Sequence, residues 1–193
     1  MNINIKQVFG KFTRGYALDK HSLYSIPIGE NEQGRMQFDT KRTEAGEAVF
    51  QLKYRNDQDQ VLPLAQAVVT NIVPLLPKFS LIVPMPASNP RAVQPVTSVA
   101  QALGDLLNKP VFEEMLSKAP RGQSLKDLHT REEKDRALIN QITVNDVISG
   151  NGKWDMLLVD DLYHSGASID AACQALRTYE KIGDIYVATL TWR

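Results

Sequence analysis

The sequence predicts an α/β fold, with a central mostly parallel sheet flanked by helices and a small N-terminal hairpin. Three observations carry that reading. Short, near-continuous apolar runs at 80–83, 155–159 and 185–191 suit strands buried on both faces. Between them lie stretches with apolar residues at helical spacing, at 61–76, 96–108 and 168–180. Strands that alternate with helices in this way pack as a parallel sheet with helical crossovers.

Taken in order, the elements are as follows. Tyr24 to Ile28 is strand-like, Gly29 to Gly34 is a turn cluster, and Arg35 to Asp39 alternates again, which predicts a hairpin. Thr43 is a helix cap, with Glu44 at the positive end and Ala45, Val49 and Leu52 on one face. Ala65, Val68, Val69, Ile72, Val73 and Leu76 mark a second helix, and Val96, Val99, Ala100, Leu103, Leu106 and Leu107 a third. Pro110 to Met115 and Ile142 to Val147 have strand character, and 118–136 is a charged loop or surface helix. Finally, 155–159 is a strand, Asp160 to Ser168 a turn, Ile169, Ala172, Cys173 and Leu176 a helix stripe, and 185–191 a strand. Because the start of the chain does not follow the alternation, residues 1–45 are expected to form a hairpin or hood segment on an α/β domain over 46–193.

Composition narrows the function classes. The chain has 193 residues, 43% hydrophobic and 23% charged, as an ordinary globular domain does. Lys plus Arg is 22 and Asp plus Glu is 22, so the net charge is zero. That weighs against a protein living on nucleic-acid phosphates or on an anionic membrane surface. One cysteine, Cys173, excludes an internal disulfide and a cysteine zinc ribbon. His21, His129 and His164 lack metal-ligand spacing. No apolar stretch approaches the ~20 residues of a bilayer span, and 1–20 does not read as a signal peptide, so the expected compartment is cytoplasmic. Tyr, Phe and Trp outside the core pattern permit a homodimer.

The chemistry concentrates in Leu158-Val-Asp-Asp-Leu-Tyr-His-Ser-Gly-Ala-Ser168. An apolar strand ends in two carboxylates, and in open α/β sheets ligands bind beyond the carboxyl ends of the strands. A short loop with Ser165, Gly166 and Ser168 then feeds a helix. Gly166 permits close backbone approach, and first-turn amides with two hydroxyls make an anion cradle. Carboxylates beside a phosphate cradle suit a ribose 5-phosphate.

This stretch resembles the signature of the type I phosphoribosyltransferases. That resemblance implies the family fold, a parallel sheet with a variable hood. It implies that Asp160 and Asp161 hold the ribose hydroxyls of phosphoribosyl pyrophosphate (PRPP), and that Tyr163, His164, Ser165, Gly166, Ala167 and Ser168 bind its 5-phosphate. His164 departs from the family pattern, where a small residue is usual. Pro84 to Arg91 follows a strand as the family's pyrophosphate loop does, which implicates Ala87, Ser88 and Arg91. Mg²⁺ would be carried by PRPP, with at most a water between it and Asp160 or Asp161. The cations of 118–136 would close over the leaving pyrophosphate.

Gln51 to Arg55, Leu81 to Pro86 and Gln123 with Arg131 resemble the ComF competence-protein branch, without that branch's N-terminal zinc-binding cysteines. Lys53 and Arg55 also read simply as complements to a helix dipole. The expected activity is Mg²⁺-assisted transfer of ribose 5-phosphate to a nitrogen acceptor with release of pyrophosphate. The alternative is a non-catalytic PRPP- or nucleotide-binding regulator or a DNA-uptake accessory protein.

Overall fold

The computed structural model describes residues 1–87, 91–118 and 142–193. Its elements are β1 (Lys6–Val8), β2 (Arg14–Lys20), β3 (Ser22–Glu30), β4 (Met36–Arg42), α1 (Glu44–Arg55), α2 (Val61–Asn71), β5 (Leu81–Pro84), α3 (Pro95–Leu107), β6 (Leu116–Lys118), β7 (Ile142–Val144), β8 (Trp154–Tyr163), α4 (Ala167–Arg177) and β9 (Ile182–Trp192). The main sheet has the order β1-β2-β9-β8-β5. All its pairings are parallel except β1 with β2. The fold is therefore the mixed α/β architecture that the sequence predicts. No helix among the described residues is long and apolar enough to cross a membrane.

Strand β8 explains why the sequence reads as a continuous apolar run. Met156 and Leu158 point to one face, where they pack with Ile169, Cys173 and Leu176 of α4. Leu157 and Val159 point to the other, among Leu64 and Val68 of α2 and Val99 and Leu103 of α3. A strand covered on both faces has no solvent side to carry polar residues. Cys173 is fully buried, and burial pushes its thiol up to about 12, which leaves it an inert core residue.

Three boundaries differ from the sequence reading. The helix expected over 61–76 stops at Asn71 and gives way to a 3₁₀ turn at Val73–Leu75. Pro74 has no N–H to give the carbonyl four residues back, so the α-helix cannot continue through it. The strand expected over 110–115 reduces to one bridge, Ile82 with Val111, and the chain then turns before β6. The turn expected over 160–168 begins later, because β8 stays paired with β9 as far as Tyr163.

The sheet also draws residues 6–20 into the α/β body, since β2 lies against β9. What projects is the β3–β4 hairpin, a separate two-stranded unit. Its root is firmly tied. The Thr43 hydroxyl donates to the Lys20 carbonyl at 2.6 Å and accepts from the Gly46 N–H at 3.0 Å, capping α1. The His21 N–H donates to the Trp192 carbonyl at 2.8 Å.

Gly46 lies so close to this root that an added Cβ would stand 2.0 Å from the His21 carbonyl oxygen. Gly46→Ala should therefore lower the urea midpoint by the equivalent of about 1–3 kcal/mol, the usual cost of forcing atoms into a packed region. An unchanged midpoint in equilibrium unfolding would show that α1 can shift away from His21.

Candidate functional site

The site arises where β8 outruns its neighbour. Strand β5 ends at Pro84, opposite Val159, and the Met85 N–H closes the pairing on the Val159 carbonyl at 2.8 Å. Past that point β8 is paired, among the described residues, only with β9, through Asp160–Thr189, Leu162–Thr191 and Tyr163–Trp192. Its other edge opens onto two adjoining hollows of about 130 and 270 Å³. Both are lined by Met85, Pro86, Asp160 and Asp161.

Alternation along the strand sends the two carboxylates to opposite faces of the sheet. Asp161 follows Val159 to the α1 side, where Lys53 reaches it from the last turn of α1 in a short ion pair. Asp160 follows Leu158 to the α4 side and accepts from the Asp161 N–H at 2.8 Å. The smaller hollow adds Lys53, Ala87, Arg91, Gln94 and Thr97. The larger adds Lys118 and the run from Leu162 to Ile169.

The two carboxylates have unequal electrostatics. Burial pushes the Asp160 carboxyl up to about 7, and the adjacent charge of Asp161 adds to the push. The Asp161 N–H, Lys53 and Lys118 oppose it. Lys53 therefore pairs with one carboxylate, while burial raises the pKa of the other. His21 stands behind the pair. Its Nδ1 lies 3.3 Å from the Thr191 hydroxyl, which donates to the Asp161 carbonyl at 2.9 Å. Burial, then the Arg42 and Arg193 cations, lower the His21 pKa, so its ring is neutral at pH 7.

The loop after β8 has the form of an anion cradle. Gly166 caps α4 with φ 79°, in the left-handed region, and as a glycine it brings no side-chain cap of its own. A Cβ on Gly166 would meet the Tyr163 hydroxyl at 2.9 Å. That hydroxyl is fixed by donating to the Phe9 carbonyl at 2.7 Å. Ser165 accepts from the Ala167 N–H at 3.4 Å. His164, Ser165 and Ser168 are exposed, and the whole run from Tyr163 to Ser168 faces the larger hollow. A helix of this length with its first amides turned to a hollow favours a negative ligand group there.

The structure thus brings Asp160, Asp161, Ala87, Arg91 and the Tyr163–Ser168 loop into one region. Arg91 donates to the Lys53 carbonyl at the end of α1 in a short hydrogen bond, and its guanidinium lies 5.9 Å from the Tyr54 ring. Ser88 falls outside the described residues, as does 119–136 of the expected closing loop. Sequence reading undervalued Lys53, for which the dipole reading was sufficient. The missed signal was that the last turn of α1 points to the carboxyl end of the sheet. His21, in a strand-rich segment without a motif, gave no signal.

No protein-family profile and no curated protein matches the chain. Solved structures do. Adenine phosphoribosyltransferase from Thermoanaerobacter pseudethanolicus is 15% identical, with 88% of this chain and 95% of that one covered and a TM-score of 0.48. Adenine phosphoribosyltransferase from Trypanosoma brucei, in complex with AMP, pyrophosphate and ribose-5-phosphate, is 12% identical, with 96% and 73% covered and a TM-score of 0.47. Leishmania donovani UMP synthase is 14% identical at a TM-score of 0.38, and this chain, 84% covered, spans only 27% of it. At such values nothing about activity follows, and the reading of the site stands on its own geometry.

The raised Asp160 pKa has a consequence for stability. The folded state holds this proton more tightly than the unfolded chain, whose carboxyl titrates near 3.8. The contribution is full below about pH 4 and is lost as pH rises through about 7. Wild-type protein should lose stability across that window, and Asp160→Asn should lose less. Urea midpoints of the two proteins over the same pH series provide the check, and parallel curves would exclude the effect.

Proposed function

We propose that this chain is a PRPP-dependent phosphoribosyltransferase-like protein that transfers ribose 5-phosphate to a nitrogen acceptor and releases pyrophosphate. The observation that carries this reading is the juxtaposition of an acidic strand end with the Gly166-capped N-terminus of α4 across one continuous hollow. A sugar phosphate has both the hydroxyls and the anion that such a hollow is built to hold.

In this reading the amides of the Tyr163–Ser168 loop, with the Ser165 and Ser168 hydroxyls, anchor the 5-phosphate. That binding energy is remote from the reacting carbon and positions it. Asp161 accepts from one ribose hydroxyl, and Asp160, whose pKa burial raises, meets the other. Both favour the positive charge that grows on the ribose as its bond to pyrophosphate breaks. Arg91 and Lys118 stand beside the two hollows with positive charge for the departing pyrophosphate.

The residues fit a magnesium ion only as ligand-borne. No group of three or more His, Cys, Asp or Glu that would hold a metal occurs among the described residues, and Asp161 is engaged by Lys53. A bound Mg²⁺ would neutralise pyrophosphate charge, with Asp160 or Asp161 reaching its waters. The Gln51–Arg55 likeness to the ComF branch acquires a physical role through Lys53, the one residue of that stretch that meets Asp161.

The Lys53–Asp161 pair also favours a second reading, that of a PRPP- or nucleotide-binding regulator without turnover. A carboxylate already neutralised by an ammonium stabilises a developing cation less than a bare one.

Calorimetric titration with PRPP should give micromolar binding that tightens with Mg²⁺ and disappears in Asp160→Asn/Asp161→Asn. Absence of binding at millimolar PRPP by folded protein would overturn the sugar-phosphate site. Pyrophosphate release in an acceptor screen separates the two readings: binding without release across nitrogen acceptors assigns the regulator. Lys53→Met should then raise release if the ammonium is what restrains turnover.

A further inference from the structure

Strand β9 carries two polar side chains into the core at the level of the acidic pair. Thr189 and Thr191 are both 0% exposed, with the buried apolar residues Val187, Ala188 and Leu190 around them in the strand. Register sets Thr189 opposite Asp160 and Thr191 opposite Leu162. Residues two apart on a strand share a face, so both threonines stand on the α4 side of the sheet, in line with Val187 and Leu158. Their hydroxyls differ. That of Thr191 donates to the Asp161 carbonyl at 2.9 Å and lies 3.3 Å from His21 Nδ1. That of Thr189 has no hydrogen-bond partner among the described residues. A buried hydroxyl without a partner is destabilising, and native structures hold few of them. Packing does not account for it, since valine has the same branched shape and the same preference for strands.

Among the described residues, elimination leaves one acceptor side chain. On the β2 side Thr189 faces Ala17, which has no polar side-chain atom. Along its own strand Val187 offers none, and Thr191 is engaged. Helix α4, which covers this face, brings Ile169, Ala172 and Cys173. Asp19 lies opposite Thr191, diagonal to Thr189, and already accepts from the Lys20 N–H at 2.7 Å. On the β8 side stands Asp160, one strand spacing of about 4.8 Å away. Its Oδ1 accepts from the Asp161 N–H at 2.8 Å, which leaves the second oxygen for other donors. At that spacing a turn about the side-chain bonds brings a carboxylate oxygen to the threonine hydroxyl without moving the backbone.

We propose that Thr189 is a positioning residue for Asp160: its hydroxyl donates to the carboxylate and fixes the orientation in which that group meets a ligand in the larger hollow. Thr189 does not line the hollow and acts only through Asp160. The charged groups around the carboxylate are Asp161 beside it, Lys53 of α1 and Lys118 of β6. Thr189 adds a neutral donor to them, which orients the carboxylate without cancelling its charge. Strand β9 thus steadies both acidic residues, Asp161 through its backbone and Asp160 through its side chain, on the side opposite the edge that β5 leaves open. What the ligand is rests on the sugar-phosphate reading; the contact between Thr189 and Asp160 does not.

Two measurements on the full chain test it. In ligand-free protein, carboxyl-carbon NMR follows the Asp160 signal against pH, assigned by its loss in Asp160→Asn. A donor to the ionised form lowers a carboxyl pKa, so Thr189→Val should move this titration up by roughly one unit. Thr189→Ser, which keeps the hydroxyl, should titrate as wild type does. In calorimetry with PRPP and Mg²⁺, Thr189→Val should weaken binding by roughly 10-fold or more, and Thr189→Ser should retain it. An Asp160 titration that is the same in wild type and Thr189→Val, or that both variants shift equally, overturns the contact. A shifted titration with unchanged PRPP affinity overturns the positioning role. Wild-type protein that binds no PRPP overturns the sugar-phosphate reading instead, and the titration still decides the contact.

Discussion

Beyond Val159, strand β8 has among the described residues a neighbour on one side only, and the candidate site depends on that inequality. Pairing with β9 holds Asp160 to Tyr163 in extended form, while the early end of β5 at Pro84 clears the space they border. Had β5 been four residues longer, both hollows would be filled by backbone. The rigidity comes from the buried apolar run beneath. A strand covered on both faces cannot tilt or slip without moving α2, α3 and α4 together, so the carboxylates are delivered to a fixed place.

The electrostatics follow from the same geometry. Successive residues of a strand face opposite ways, so adjacent carboxylates meet different environments. One is matched to an ammonium on a neighbouring helix, and the other is left against the core and the loop. Two adjacent acidic residues thus differ: one is paired with Lys53, and the other is buried with its pKa raised. A ligand that bridges the strand end meets both.

The elements that were legible in the sequence are those whose pattern is local. Met156 to Val159 announces a doubly covered strand. Thr43 with Glu44 announces a helix start. Gly166 between two serines announces a loop that enters a helix. What escaped is set at a distance. Nothing near residue 20 says that β2 belongs beside β9, so the start of the chain reads as a hood, although residues 14–20 join the main sheet and Ser22–Arg42 forms the separate hairpin. Nothing near Lys53 says which carboxylate lies at the end of its helix. The length of β8 was likewise decided by Thr189, Thr191 and Trp192, thirty residues on, and not by the acidic pair, which alone looked like the end of a strand.

That long-range pairing shapes how the molecule comes into being. Among the described residues, strand β9 is the only parallel neighbour of β2 and one of two neighbours of β8. Residues 14–20 must wait for 186–192 before the sheet can close, a loop closure that spans most of the chain. During synthesis the helices can form early from local contacts, but the edge of β2 that pairs with β9 stays open until β9 leaves the ribosome. The interval before β9 docks is the one in which the bare edges of β2 and β8 stand open to strands of other nascent chains.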